Sequence, residues 1–248
     1  MPLVGTRSAT DFASGPLVTA PATERWELPG AGILQLMYEI DAATMTSLLP
    51  PALHPTIPPT LVFTVTNVPE SPVGPFVLAE VKVGSRSGAR PRGLLVRGYC
   101  NSAAAIEALS SRWGYPLAHA DCTFAKRYDR IEGTVSLTGQ SILELTLLNP
   151  DPISGNDVQY LANLNVARMV RAGSEVARLV QVDPDYTFRS ADRGKPQLGA
   201  FDPGAWGVPG ASPSFPVSAS YCGADISLPE IRYLADPAKD PLTAVERL

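Results

Sequence analysis

Gly93-Leu94-Leu95-Val96-Arg97-Gly98-Tyr99, followed by Asn101 to Trp113 and then by Gly114-Tyr115-Pro116, is the stretch that decides the fold class. Its first part is rich in branched and aromatic side chains and reads as a strand. Asn101 is the expected cap of a helix over Ser102 to Trp113: Ala103, Ala104 and Ala105 favour the helical state, and Gly114 marks its end. A strand running into one short helix that stops at a glycine describes a chain of short elements, not a helical bundle.

Working outward gives the same picture. Leu61-Val62-Phe63-Thr64-Val65, Gly133 to Leu137 and Ile142 to Leu148 read as further strands. Asp41 caps a helix over Ala42 to Leu49 that the Pro50-Pro51 pair ends. The 25 prolines and 20 glycines cut the chain often, which favours strands and turns. The fold class is therefore α+β, predominantly antiparallel β with a few short helices. Val158 to Leu179 is open between helix and strand, because Tyr160, Ala162, Leu164 and Val166 alternate with polar residues. Gln197 to Pro216, rich in Gly, Pro and Ser, reads as a long loop or crossing connection. Residues 1–24 read as an irregular N-terminal arm and 25–248 as a single domain.

The 248 residues, 45% hydrophobic and 18% charged, can bury a sizeable core. A net charge of -4, with no Lys/Arg cluster interleaved with aromatics, argues against a nucleic-acid partner. No apolar run reaches the roughly 18 residues of a membrane span, so neither a membrane partner nor a signal peptide is expected, and the location expected is cytoplasmic. Cys100, Cys122 and Cys222 are too scattered for a disulfide framework, and His54 and His119 lack metal-site spacing. No metal is expected.

Several stretches, in order, resemble the acetoacetate decarboxylase family: Met37-Tyr38-Glu39-Ile40-Asp41, Leu49-Pro50-Pro51-Ala52-Leu53, Gly93 to Tyr99, the helix, Trp113-Gly114-Tyr115-Pro116, and Gly223-Ala224-Asp225-Ile226-Ser227-Leu228-Pro229 with Ile231 and Tyr233. The likeness runs from about Trp26 to Leu234. It implies a β-rich cone or barrel around a central apolar cavity and a homo-oligomer, dimer or higher. In that family a lysine after the aromatic-Pro pair forms a Schiff base with a β-keto acid, activated by a neighbouring lysine and a desolvated pocket. Here those positions are Leu117 and Ala118. The family's two strand glutamates fall at or near Thr64 and Leu78, and its substrate-facing arginine near Ala31. The resemblance thus makes Leu117, Leu78, Thr64 and Ala31 substrate-binding positions in a pocket more apolar than the family's.

Catalytic candidates arise from strand alternation. If Leu78 faces the cavity, Glu80 and Lys82 either accompany it inward, with Glu80 as acid or base, or have passed the rim into solvent as a cross-strand pair. Arg97 and Tyr99 share a face with Leu95 and suit carbonyl or carboxylate recognition, or else packing and surface roles. Tyr115 and His119 flank Leu117, and in an extended chain the three share a face, which makes His119 an acid/base candidate that Asp121 would orient. The leading expectation is a cofactor-free cyclase, dehydratase or related lyase acting on an apolar, unsaturated carbonyl substrate of secondary metabolism. The alternatives are a non-catalytic binder of an apolar metabolite, and a decarboxylase or aldolase using a relocated lysine, Lys82 or Lys126.

Overall fold

The structure, a computed structural model, describes residues 3–248. The strands in chain order are β1 (Trp26–Glu39), β2 (His54–Pro55), β3 (Thr60–Val68), β4 (Phe76–Ser87), β5 (Arg90–Cys100), β6 (Leu117–His119), β7 (Asp121–Lys126) and β8 (Arg130–Leu137). They continue with β9 (Gln140–Pro152), β10 (Asn163–Arg171), β11 (Ser174–Val182), β12 (Asp185–Phe201), β13 (Pro216–Leu228), β14 (Tyr233–Ala235) and β15 (Val245–Arg247). Two α-helices, α1 (Ala42–Leu48) and α2 (Ala103–Trp113), complete the set among the described residues. All strands join one sheet in the order β15-β14-β11-β10-β5-β4-β3-β1-β13-β12-β9-β8-β7, with β2 on β4 and β6 on β5. Pairing is antiparallel except where β5 meets β6 and β10.

Strand path and barrel expectation differ in one respect. The path has two ends, β7 and β15, which do not pair with each other among the described residues, so the pairing is that of an open sheet.

Both helices begin and end where side-chain chemistry dictates. Asp41 Oδ2 accepts from Thr44 N at 2.8 Å and starts α1. Ser102, not Asn101, caps α2, its Oγ accepting from Ala105 N at 3.3 Å. Asn101 is engaged elsewhere: its Oδ1 accepts from Val77 N at 2.8 Å and ties β4 to the start of the helix. Gly114 closes α2 in the left-handed conformation, φ 68°, a state that costs glycine little.

The open choice over Val158 to Leu179 resolves as the hairpin β10–β11. Ala172 and Gly173 turn it with φ 49° and 79°, both positive as a tight hairpin turn demands. The expected loop from Gln197 begins later, because β12 continues to Phe201. The segment after Phe201 folds back onto the sheet and buries Trp206 and Val208 completely. The segment before β1 holds one 3-10 turn, Ala9–Phe12, and lies against the domain, with Phe12 and Val18 buried and Gly5 N donating to Leu53 O.

The sheet carries a core on each face. From β3 and β4, Leu61, Phe63, Val65, Val77, Ala79, Val81 and Val83 enter one cluster, with Tyr99 and Trp206. Val68, Phe76, Leu78 and Leu95 enter the other, beneath Leu109 and Trp113 of α2. Leu95 and Tyr99 thus lie on opposite faces although they are an even number of residues apart. The reason is a bulge: Lys82 pairs with Leu95 and Glu80 with Gly98, so two steps along β4 match three along β5. One extra residue inverts the alternation beyond it.

Candidate functional site

A continuous register row builds the floor of the site: Ser220 of β13, Gln35 of β1, Thr64 of β3, Glu80 of β4 and Gly98 of β5 are successive partners across the sheet. Directly paired residues project to the same face. Of these, Gln35, Thr64, Glu80 and Ser220 are all buried polar groups. In a β-rich core such groups need partners or a ligand.

Over part of this floor lies a cavity lined by Thr64, Thr66, Leu78, Glu80, Lys82, Leu109, Tyr115, Tyr160, Tyr186 and apolar side chains from β1, β3, β4 and β13. It offers ≈ 40 Å³ to the centres of water-sized atoms, room for about three waters or a ligand of a few heavy atoms. Tyr160 and Tyr186, with ring centroids 4.8 Å apart, wall one side together with Pro184. The same three residues border a surface groove that also touches Arg92 and Asp183, so they stand between cavity and solvent.

Lys82 and Glu80 are both within the cavity wall, at 4% and 6% exposure. Lys82 Nζ lies 3.5 Å from Glu80 Oε2 and donates to Asn163 Oδ1 at 3.0 Å. Asn163 Nδ2 in turn donates to Glu80 Oε1 at 2.6 Å, which closes a three-residue ring. Two glycines of β5 make room. At Gly93 the Lys82 stem crosses the strand towards Asn163 of β10, and at Gly98 the Leu117 side chain does the same from β6. The solvent alternative for the Glu80/Lys82 pair is therefore overturned.

Burial pushes the Tyr115 phenol well above its usual range, the Glu80 charge and the neighbouring Tyr186 phenol add to the rise, and nearby Asn163 partly offsets it. Tyr186 is raised by burial and then by Glu80, and Tyr160 by burial and then by the Cys222 thiol. All three phenols stay protonated and present O–H donors.

Of the residues expected from sequence, the structure brings Thr64, Leu78, Glu80 and Tyr115 to this cavity. It does not bring Tyr99, Arg97, His119, Leu117 or Ala31 into its lining. Tyr99 sits beyond the bulge, in the opposite core; its hydroxyl donates to Ala205 O at 2.7 Å and its ring meets Trp206 edge-on at 4.8 Å. Arg97 is exposed and donates to the same Ala205 carbonyl at 3.1 Å. Both hold the segment after β12. His119 is exposed. Tyr115, Leu117 and His119 do not form an extended run, because Leu117 N donates to Tyr115 O at 2.9 Å and the chain turns tightly through Pro116. Leu117 packs over Gly98, and Ala31 is buried in the core. Lys126 lies outside the cavity, its Nζ 4.1 Å from the Tyr221 ring centroid and 3.8 Å from Asp192.

Sequence reasoning missed Tyr160, Tyr186, Thr66 and Asn163. Tyr160 and Asn163 lie in or beside the segment whose class was open. Among the described residues no group of three or more His, Cys, Asp or Glu is placed to hold a metal ion, and no helix is long and apolar enough to cross a membrane.

Fold and site together define an α+β protein whose single, mostly antiparallel sheet encloses an amine, a carboxylate and phenols in a small cavity. The model of the family described as acetoacetate decarboxylase (ADC) matches residues 14–238, and the chain belongs to that family. Solved structures agree in fold. The acetoacetate decarboxylase of Legionella pneumophila is 19% identical with a TM-score of 0.75, over 86% of this chain and 88% of that one. A second acetoacetate decarboxylase is 17% identical with a TM-score of 0.74, over 93% and 91%. The enduracididine biosynthesis enzyme MppR, complexed with the condensation product of pyruvate and imidazole 4-carboxaldehyde, is 15% identical with a TM-score of 0.66, over 86% and 89%. No curated protein matches this chain in sequence.

Proposed function

We propose that this protein is an enzyme that binds a small carbonyl compound as an imine on Lys82 and labilises the adjacent carbon, in an aldolase- or dehydratase-type lyase reaction. The observation that carries this is the Lys82 amine, buried in the cavity and 3.5 Å from the Glu80 carboxylate. This is the relocated-lysine reading, and it keeps dehydration from the leading expectation while restoring the nucleophile.

Atoms and charges balance at each step. Lys82 attacks as the free amine, so it first gives a proton to Glu80. Its nitrogen bonds to the carbonyl carbon, the carbonyl oxygen leaves as water with the two amine protons, and the imine takes back the proton held by Glu80 to become an iminium, which leaves Glu80 a carboxylate. Glu80 then removes a proton from the carbon next to the iminium, and the electrons move into an enamine. The enamine either expels a β-hydroxyl as water or adds through its carbon to a second carbonyl compound; in the cleavage direction Glu80 takes the β-hydroxyl proton of the iminium, and the bond to the β-carbon breaks to leave the enamine. Water hydrolyses the final iminium and returns the amine. Asn163, bonded to both Lys82 and Glu80, holds the pair in register. MppR holds the product of a carbonyl condensation, which supports carbon–carbon chemistry on this scaffold by analogy alone.

The cavity volume supports a substrate of a few heavy atoms over a polyketide-sized one. A cytoplasmic homo-oligomer belongs to the same reading, supported by Phe215 and Val217, which are exposed where β13 begins. The test is to incubate the protein with short ketones and keto acids, reduce with borohydride, and map the adduct by mass spectrometry. An adduct on Lys82, lost in Lys82→Met, is the expected result. No adduct with any of them, together with ligand recovered unchanged, would leave a binding protein instead.

A further inference from the structure

Three polar atoms of the floor and wall have no hydrogen-bond partner within the protein although they are shielded from solvent: Gln35 Oε1, Thr64 Oγ1 and Tyr160 OH. They are neighbours. Gln35 and Thr64 are direct partners in the β1–β3 register, and Gln35 Nε2 donates to Gln159 O at 3.0 Å, beside Tyr160. Tyr160 OH lies near Ser220 and Cys222 but outside hydrogen-bond geometry with either. Thr64 and Tyr160 line the Lys82 cavity, and Gln35, one place along the same row, borders the adjoining pocket with Gln159 and Ser220. A buried polar atom without a partner is costly, so three in one patch describe a site that a ligand completes.

The chemistry of the patch is specific. Gln35 Oε1 accepts only; the threonine and tyrosine hydroxyls donate and accept. That set matches a neutral hydroxyl, which needs both an acceptor and a donor. A carboxylate, which only accepts, could take up the two hydroxyls but would leave Gln35 Oε1 unpaired and bring a charge. Among the lining residues Lys82 is the only cation and Glu80 the only anion. When Lys82 attacks as a free amine and Glu80 holds its proton, a substrate carboxylate would put a negative charge in the cavity with no cation to balance it.

We propose that Thr64 and Tyr160, with Gln35 behind Thr64 in the same sheet row, form a hydroxyl-binding subsite, so that the substrate is an uncharged carbonyl compound bearing a hydroxyl β to the carbonyl rather than a keto acid. This rests on the imine reading for the placement of the carbonyl at Lys82. Thr64 pairs directly with Glu80, so an oxygen bound at Thr64 sits beside the carboxylate that has just taken the α-proton. The hydroxyl then leaves with that proton as water.

Three four-carbon probes decide it: the β-hydroxy ketone, the same ketone without the hydroxyl, and acetoacetate. Each is trapped with borohydride at graded concentration, and its binding without reductant is monitored by ligand-observed NMR. The β-hydroxy ketone should modify Lys82 at roughly tenfold lower concentration than the plain ketone, the worth of one or two satisfied hydrogen bonds. Acetoacetate should be the poorest. Thr64→Val and Tyr160→Phe should bring the trapping concentrations of the two ketones together, whatever each does to trapping as a whole. Equal trapping of the two ketones, or a lead for acetoacetate, overturns the subsite while sparing the imine. If no probe modifies Lys82 the imine reading fails, and the NMR series still judges the subsite: binding that ignores the hydroxyl, or survives Thr64→Val unchanged, overturns it.

Discussion

The stem of Lys82 lies across the bare Cα of Gly93, so closely that a β-carbon on residue 93 would stand 2.9 Å from both Cβ and Cδ of the lysine. Gly93 therefore sets where the amine goes. Gly93→Ala should push the amine off Asn163 and Glu80, lower borohydride trapping on Lys82 at least tenfold, and cost about 1–3 kcal/mol of stability through overpacking. Urea unfolding and adduct mass read the two effects separately.

The Lys82–Glu80 pair should be costly to break and cheap to replace. Lys82→Met or Glu80→Leu alone leaves one buried charge unpaired and should destabilise by about 3–5 kcal/mol, whereas the double substitution should recover most of that loss. A double-mutant cycle by urea denaturation measures it, and strictly additive losses would contradict the pairing.

Tyr99→Phe removes one hydrogen bond to Ala205 on the face away from the cavity. Trapping on Lys82 should be unchanged, and stability should fall by about 1 kcal/mol. Faster proteolysis between Asp202 and Phe215 should accompany it, since Tyr99 and Arg97 both anchor that segment.

Burial pushes the Cys122 thiol up to about 12, with Cys100 and Asp121 adding to the rise. An unfolded thiol titrates near 8.5. The buried thiol therefore contributes stability in full below about pH 8.5, and that contribution is lost as pH rises towards about 12. Alkylation of Cys122 near pH 9 should be slower than that of an unfolded control by at least an order of magnitude. The urea midpoint should fall on going from about pH 8 to pH 10.5. A midpoint that rises over this interval would reverse the sign.

Much of this molecule is legible without coordinates. The helix over Ala103 to Trp113 is dictated by its alanines and the glycine after it, and the inward face of Leu78, Glu80 and Lys82 by alternation in a run otherwise apolar. Whether such a run ends inside or outside the rim is not written in its period. It depends on Gly93 and Asn163, which are remote in sequence and give the amine a path and a partner. Tyr99 and Arg97 misled for a different reason: period-2 counting from Leu95 assumes an uninterrupted ladder, and β5 contains a bulge. His119 misled because Pro116 turns a chain that composition alone leaves extended.

At Val96 and Arg97 the strand carries one residue more than the ladder needs. Removing one of the two would leave an even ladder in which Leu95 still meets Lys82 and Gly98 still meets Glu80, so Tyr99, then three residues from Leu95, would keep its place opposite the cavity. A single codon deletion there would straighten the strand without exchanging the inside and outside of its C-terminal end. Insertion of one further residue is the change the cavity would feel, because it would break the match between Gly98 and Glu80.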